Sequence, residues 1–309
     1  MKRLLAMLLA LLLLCGAALA EGEFPELNEK GFLDEGEFLY ENPDDGVWRY
    51  ASQTLKVEII RYTQKSPKRI WYEAEVWTDG SDVFHMIPHD PENRMKGDEW
   101  PYMIARNNDV VLAINSDYAQ TRINQRQTVG IIIRDGEILQ SKTKTKNAKG
   151  FPNLDTLALF PNGDMQVFWS DEKKPAEYLE MGATDVLAFG PWLIRDGELN
   201  EKGLKKYGTS AAQRTAIGMV EKGHYFAMML EGRLPDAKGA GVSFLAEKLL
   251  ERGCQVGFNL DGGQTSSMVF MGRQICDIST KKSNVSSRKT AEILGIGHSE
   301  LVRTMEDPW

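Results

Sequence analysis

Histidine and cysteine are scarce in this chain: 309 residues carry four of the first and three of the second. No cysteine pair has zinc-binding spacing and no His-Glu-x-x-His helix appears, so the common zinc centres have no ligand set. A Walker loop and a Gly-x-Ser-x-Gly elbow are also missing, which removes two large classes of nucleotide and ester chemistry. His224 lies beside a hairpin turn with no serine partner in view. Positive charge is short as well, with 37 Lys and Arg against 44 Asp and Glu and a formal charge of −7. A polyanionic backbone rewards Lys/Arg clusters, so nucleic acid is excluded as a partner. Long hydrophobic runs are confined to Leu4–Leu14, shorter than the ~20 residues a bilayer span needs.

That run is preceded by Lys2 and Arg3 and followed by Ala18-Leu19-Ala20 ahead of Glu21. This is the order of a secretory signal with an Ala-x-Ala cleavage site. Residues 1–20 are therefore expected to be removed, leaving a protein that is secreted or held at the cell envelope with no stable membrane span. Cys15 follows three leucines where a lipoprotein anchor requires small residues, so it is expected to leave with the signal. Lys2 and Arg3 are the only charges lost, so the mature chain carries −9. Cys254 and Cys276 remain, either as a disulfide or as two buried thiols; the sequence leaves both open.

The remaining length is allocated to an arm over 21–54 and one domain over 55–309. The arm holds Phe24, Phe32, Phe38, Tyr40, Trp48 and Tyr50, too many rings for a linker, and is expected to pack on the body. Alternating apolar positions predict strands at Leu55–Arg61 and Trp71–Trp77, and a buried strand at Val110–Ile114 runs straight into Asn115-Ser116-Asp117-Tyr118. His85 and His89 have helical spacing, but Pro88 and Pro91 argue against a helix and leave a metal site there a minor reading. Hairpins are predicted at Asp135-Gly136, Asn162-Gly163, Asp196-Gly197 and Lys222-Gly223. The repeated Ile-Arg-Asp-Gly-Glu suggests an internal duplication or two common turns. One clear amphipathic helix spans Val242–Arg252, with Val242, Leu245, Ala246, Leu249 and Leu250 assigned to its buried face and Gly253 closing it. The sum is an α+β fold: a mixed, mainly antiparallel sheet built from hairpins and braced by a few helices.

The densest polar stretch is Asn259-Leu260-Asp261-Gly262-Gly263-Gln264-Thr265-Ser266-Ser267, between the apolar runs Val256–Phe258 and Met268–Met271. Asp-Gly alone is a common turn. Two glycines followed by Gln-Thr-Ser-Ser are more than a turn requires, and they allow close backbone approach to a ligand. After the loop, Lys281–Ser287 is polar, with a formal glycosylation acceptor at Asn284-Val285-Ser286, and Thr290–Ile296 reads as a last strand.

Taken together, Gln213-Arg214-Thr215-Ala216-Ile217-Gly218, Glu231-Gly232-Arg233, the helix closed by Gly253 and Asn259-Leu260-Asp261-Gly262-Gly263 resemble the phosphodiester glycosidase family, related to the lysosomal enzyme that uncovers mannose 6-phosphate. The Asn115 strand end and the Arg288 segment support the resemblance, which covers about residues 110–297. Three departures stand out: Asn115-Ser116-Asp117-Tyr118-Ala119 replaces Asn-Gly-Gly-Phe-Phe, Glu231 replaces an aspartate, and Gln264-Thr265 replaces a third loop glycine.

The resemblance implies hydrolysis of a sugar 1-phosphodiester of small-molecule or polymeric carbohydrate, in cell-envelope or exopolysaccharide metabolism. The phosphate leaving group has a last ionisation near ~6, so it departs without the proton an alcohol needs. Asp261 is then the catalytic carboxylate, as nucleophile or as base on water. Arg214 and Arg233 clamp the phosphate by bidentate bonds. Asn115 and Asn259 hold sugar hydroxyls, Glu231 contributes to substrate binding, and Gly262, Gly263, Thr265, Ser266 and Ser267 line the phosphate side. Asp117 is a second carboxylate, for an acid or for sharing a divalent cation such as Ca²⁺ with Asp261. Two other readings stay open: a metal-assisted phosphodiesterase, and a non-catalytic glycan-binding protein of the cell surface.

Overall fold

A computed structural model describes residues 22–94, 96–117, 130–142, 154–207, 210–277, 288–304 and 306. The expected signal at 1–20, Tyr118-Ala119 and the polar 281–287 stretch with its glycosylation acceptor lie outside these residues. The chain opens with two hairpins, β1 (Phe38–Asn42) with β2 (Val47–Ala51) and β3 (Leu55–Lys65) with β4 (Lys68–Thr78). After β5 (His85–Pro88) come helix α1 (Pro101–Asn107) and β6 (Val110–Asn115). The hairpins β7 (Gly130–Arg134) with β8 (Glu137–Lys142) and β9 (Asp155–Leu159) with β10 (Met165–Phe168) follow. Helix α2 (Pro175–Glu180) leads to β11 (Asp185–Phe189), β12 (Trp192–Arg195) and β13 (Glu198–Leu199). Helix α3 (Glu201–Tyr207) then leads to the hairpin β14 (Arg214–Glu221) and β15 (His224–Leu230). Helix α4 (Val242–Glu251) precedes β16 (Val256–Asn259), and β17 (Met268–Phe270), β18 (Arg273–Gln274) and β19 (Glu292–His298) complete the elements.

These strands form three sheets. The main one has nine strands in the order β1-β2-β3-β4-β15-β14-β16-β12-β13, and two five-stranded sheets run β10-β9-β11-β7-β8 and β18-β17-β6-β19-β5. Every strand pairing among the described residues is antiparallel, as a chain of short hairpins dictates. The two-residue period of β15 shows how the layers stack. Tyr225, Ala227 and Met229 join the large core shared with both smaller sheets, while Phe226, Met228 and Leu230 join a second core under α4. The helix supplies Val242, Phe244, Leu245, Ala246 and Leu249 to that second core. Leu250, assigned above to the same face, is exposed, and Phe244 takes the buried place instead. Gly253 closes the helix at φ +82°, the left-handed conformation such an end requires.

The two Ile-Arg-Asp-Gly-Glu segments are matching turns in different sheets: Asp135-Gly136 and Asp196-Gly197 all have positive φ, the signature of a tight two-residue hairpin. In the segment before Leu55, Trp48 and Tyr50 are core residues and β1 and β2 extend the main sheet at its edge. Cys254 and Cys276 are unbonded buried thiols in the cores on opposite faces of the main sheet. Of the two states left open by the sequence, the structure has the thiols. His85 lies on a strand, and α1 ends at Asn107.

A buried charge cluster ties the two smaller sheets together. Arg134, at the end of β7, makes a fork-to-fork pair with Glu292 of β19, its Nε donating to Oε2 at 2.9 Å. Asp117, just past β6, lies 3.7 Å from the same guanidinium and accepts from the Ala188 N–H of β11 at 2.8 Å. Asp185, whose carboxyl burial pushes up to about 6, faces the same arginine.

Candidate functional site

The Asn259–Ser267 loop is not a hairpin turn. It leaves β16 in the main sheet and enters β17 in a smaller one, crossing the gap between layers. Main-chain bonds hold it to two neighbours at once: Leu260 N donates to Thr215 O at 2.9 Å, Gly263 N to Gln213 O at 3.0 Å, and Asp261 N to Ser116 O at 3.3 Å. The two glycines have different reasons to be there. A Cβ on Gly262 would stand 3.0 Å from Gln213 O and 3.2 Å from Arg214 Nη1, whereas Gly263 sits at φ +66°. Close packing demands the first and backbone conformation the second.

Exposure divides the expected site residues into two ranks. Asp261, Gly262, Gly263 and Arg214 are half-buried and Arg233 is exposed, so these form the accessible front. Asn115, Asp117, Glu231, Asn259, Thr265, Ser266 and Ser267 are fully buried behind them. In this second rank the side-chain amides of Asn115 and Asn259 bond to backbone. Asn115 donates from Nδ2 to Asp261 O at 2.8 Å and to Ser116 O at 3.1 Å, and its Oδ1 accepts from Ser267 N at 2.9 Å. An amide engaged at both ends with the loop's backbone clamps the loop. Asn259 donates to Gly190 O at 2.8 Å, fastening β16 to the start of β12.

Several polar atoms of the buried rank have no hydrogen-bond partner among the described residues: the hydroxyls of Ser266 and Ser267, Asn259 Oδ1 and, nearby, Ser116 Oγ, Thr215 Oγ1 and both amide atoms of Gln213. Such atoms are normally rare inside a fold. Seven of them gather under this one loop, the kind of exception that calls for a functional explanation.

Three guanidinium groups surround the front. Arg214, the first residue of β14, donates from Nη2 to Ser210 O at 2.8 Å and Oγ at 3.0 Å, and its Nη1 side faces Gly262. Burial lowers its pKa, repulsion from Arg233 lowers it further, and attraction to Asp261 opposes both. Arg233 has φ +58°, an uncommon conformation for a residue with a side chain, and its Nη1 would lie 3.6 Å from a Cβ on Gly263. Gly232 allows this, since a Cβ there would press to 2.7 Å on the Ala212–Gln213 backbone. Arg288, which the sequence offered only as a supporting match, is half-buried on the third side and attracts Asp261. A lone arginine 21 residues past the loop carries no spacing signal, so only the tertiary structure brings it in.

Asp261 itself is enclosed by protein on most sides while one part of its surface stays open. That enclosure pushes its carboxyl up to about 7, with Asp117 adding to the rise and the Thr265 hydroxyl, Arg288 and the Gly262 N–H opposing it. Glu231, beside this site, is also raised, to about 7 through burial. Its Oε1 accepts from Tyr72 OH at 3.0 Å and Asp277 N at 2.9 Å, so it braces the Glu231–Arg233 turn instead of pairing with Arg214. A divalent cation shared by Asp117 and Asp261 fits poorly: Asp117 is committed to Arg134 and Ala188, and no group of three His, Cys, Asp or Glu with metal-holding geometry occurs among the described residues.

Comparison with known proteins shows the family and the fold. The sequence model of the family described as phosphodiester glycosidase matches residues 108–297, more than half of the chain. The SPbeta prophage-derived uncharacterized protein YomE of Bacillus subtilis (strain 168) is 26% identical over 178 residues, which is 57% of this chain but 27% of that relative's length. Among solved structures, the zebrafish N-acetylglucosamine-1-phosphodiester alpha-N-acetylglucosaminidase catalytic domain, auto-inhibited by its pro-peptide, has a similar fold. It superposes with a TM-score of 0.60 at 20% identity, over 81% of this chain and 85% of that one. A hypothetical protein from Synechocystis gives 0.53 at 13% identity, over 79% and 62% of the two chains. A putative exported protein from Burkholderia pseudomallei K96243 gives 0.52 at 11%, over 74% of each. At such identities these three share the fold.

Proposed function

This chain belongs to the phosphodiester glycosidase family, and from that premise we propose that it hydrolyses the C1–O bond of a sugar 1-phosphodiester. The observation that carries the reading is the half-buried Asp261 carboxylate in its two-glycine loop, facing Arg214 and Arg288, with Arg233 against the neighbouring Gly263. Arg214 and Arg233 meet the diester phosphate and the charge that grows on it as C1–O breaks, which is the place where fixed positive charge lowers a barrier most. The departing phosphate needs little proton assistance. One carboxylate is then sufficient for the remaining work, attack on the anomeric carbon or activation of water. A carboxyl near 7 is a competent base at neutral pH, because enough of it is ionised and the ion is basic. The signal-like residues 1–20 support export, and an exported enzyme of this kind meets the sugar phosphodiesters of cell-envelope or exopolysaccharide material.

The test uses methyl diesters of α-linked N-acetylglucosamine, glucose and mannose 1-phosphate in ¹⁸O-water. Label in the released sugar, lost in Asp261→Asn, is the expected outcome. Label in the phosphate would assign a phosphodiesterase instead. Binding of these diesters without turnover by the wild type would assign a glycan-binding protein.

A further inference from the structure

Behind Asp261 lies a second arrangement that the proposed chemistry has not used. Arg288 directs its hydrogen bonds to two consecutive loop residues. Its N–H donates to Gln264 O at 2.8 Å, Nη1 to Thr265 Oγ1 at 3.2 Å and Nη2 to Gln264 Oε1 at 3.4 Å. The Thr265 hydroxyl is fully buried, and both it and Arg288 favour the ionised form of the Asp261 carboxyl. A guanidinium has no lone pair to offer, so Thr265 accepts from Arg288 and keeps its own proton for another acceptor. Arg288 thus holds the hydroxyl that favours the Asp261 carboxylate. Gln264 and Thr265 stand where the family pattern has a third glycine, and a glycine would supply neither of the two side-chain acceptors.

The other charged groups facing Asp261 do not offer the same route. Arg214, from β14, has its bonds to Ser210 and Ala240; Asp117, past β6, repels Asp261 and is held by Arg134. Arg233 lies against Gly263, on the front.

We propose that Arg288 is a positioning residue that acts through Thr265 to aim the Asp261 carboxylate, and that the Gln264-Thr265 pair is this chain's own device for holding it. The role rests on the reading of Asp261 given above. Its consequence is a division of labour among the cations: Arg214 and Arg233 meet the phosphate, whereas Arg288 sets the carboxylate.

The experiment compares Arg288→Gln, Thr265→Val and Thr265→Ser with the wild type in two measurements. One is turnover of the methyl diester of N-acetyl-α-glucosamine 1-phosphate; the other is ¹³C titration of the Asp261 carboxyl, assigned by Asp261→Asn. In Arg288→Gln and Thr265→Val, kcat is expected to fall about 10²-fold with KM within about twofold, since aim and not affinity is lost. In the same two variants the carboxyl is expected to titrate about one pH unit higher, as it loses a donor and its nearby cation. Thr265→Ser, which keeps the hydroxyl, should restore both. Thr265→Val is nearly isosteric, so the comparison survives if Arg288→Gln does not fold. An unchanged titration in Thr265→Val, or a rise in KM at constant kcat in Arg288→Gln, overturns the proposal. Because the titration needs no turnover, a wild type inactive on the diester would count against the proposed function alone.

Discussion

At the scale of single residues, the decisive balance is at Asp261. Its carboxyl is raised from 3.8 to about 7 by enclosure, more than the Thr265 hydroxyl and Arg288 pull it back. A folded-state pKa above the unfolded one means that the folded protein holds the extra proton between roughly pH 4 and 7, so stability falls as pH rises through that window. Asp261→Asn removes the titration. It is expected to abolish turnover and to raise stability at pH 8 by about 1–3 kcal/mol, a gain that vanishes below pH 4. Urea unfolding of both proteins at the two pH values measures this, and equal midpoints at pH 8 would show that the carboxylate is not held at a cost. The same sign governs catalysis: kcat/KM should climb about tenfold per pH unit below 7 and level off above it.

At the scale of one element, the loop between β16 and β17 is shaped by groups buried behind it. Asn115 holds it by two side-chain bonds from a fully buried position, and Gly262 and Gly263 let it pass over Gln213. Asn115→Ala should cost about 1–3 kcal/mol, since it strands Asp261 O and Ser267 N. It should lower kcat more than it raises KM, because the phosphate clamp on β14 and the Glu231–Arg233 turn is untouched. Thermal unfolding together with steady-state kinetics separates this from a sugar contact, which would appear mainly in KM. Polar residues at the end of an apolar strand signalled that Asn115 matters. They did not reveal that its partner is backbone, because a side chain's partner depends on the element that arrives beside it.

At the scale of the whole molecule, the site's loop joins the main sheet to a smaller one, and Arg134 ties that smaller sheet to the third. One guanidinium is shared by Glu292, Asp117 and Asp185 from three different segments. Arg134→Leu should destabilise the fold by about 3–5 kcal/mol at pH 7, the usual penalty for leaving buried charge without its partner. The deficit should shrink at pH 5, where carboxyls without their cation bind protons. Equal losses at both pH values, read from urea midpoints, would mean that packing and not charge is the cause. Arg134 was read in the sequence only as part of a turn, since nothing local marks which distant carboxylates will converge on it.

The hairpins, the helix closed by Gly253, the antiparallel class and the family were all determined by the sequence alone. Each depends on residues a few positions apart: turn glycines, two-residue alternation, a contiguous motif. What only the tertiary structure decided is rank. It put Asp261, Arg214 and Arg233 forward, set Asn115, Asn259, Ser266 and Ser267 behind them, and added Arg288 from beyond the loop. The physical reason is that exposure and electrostatic partnership arise from elements far apart in the chain, and β16 and β17, though adjacent in order, belong to different sheets.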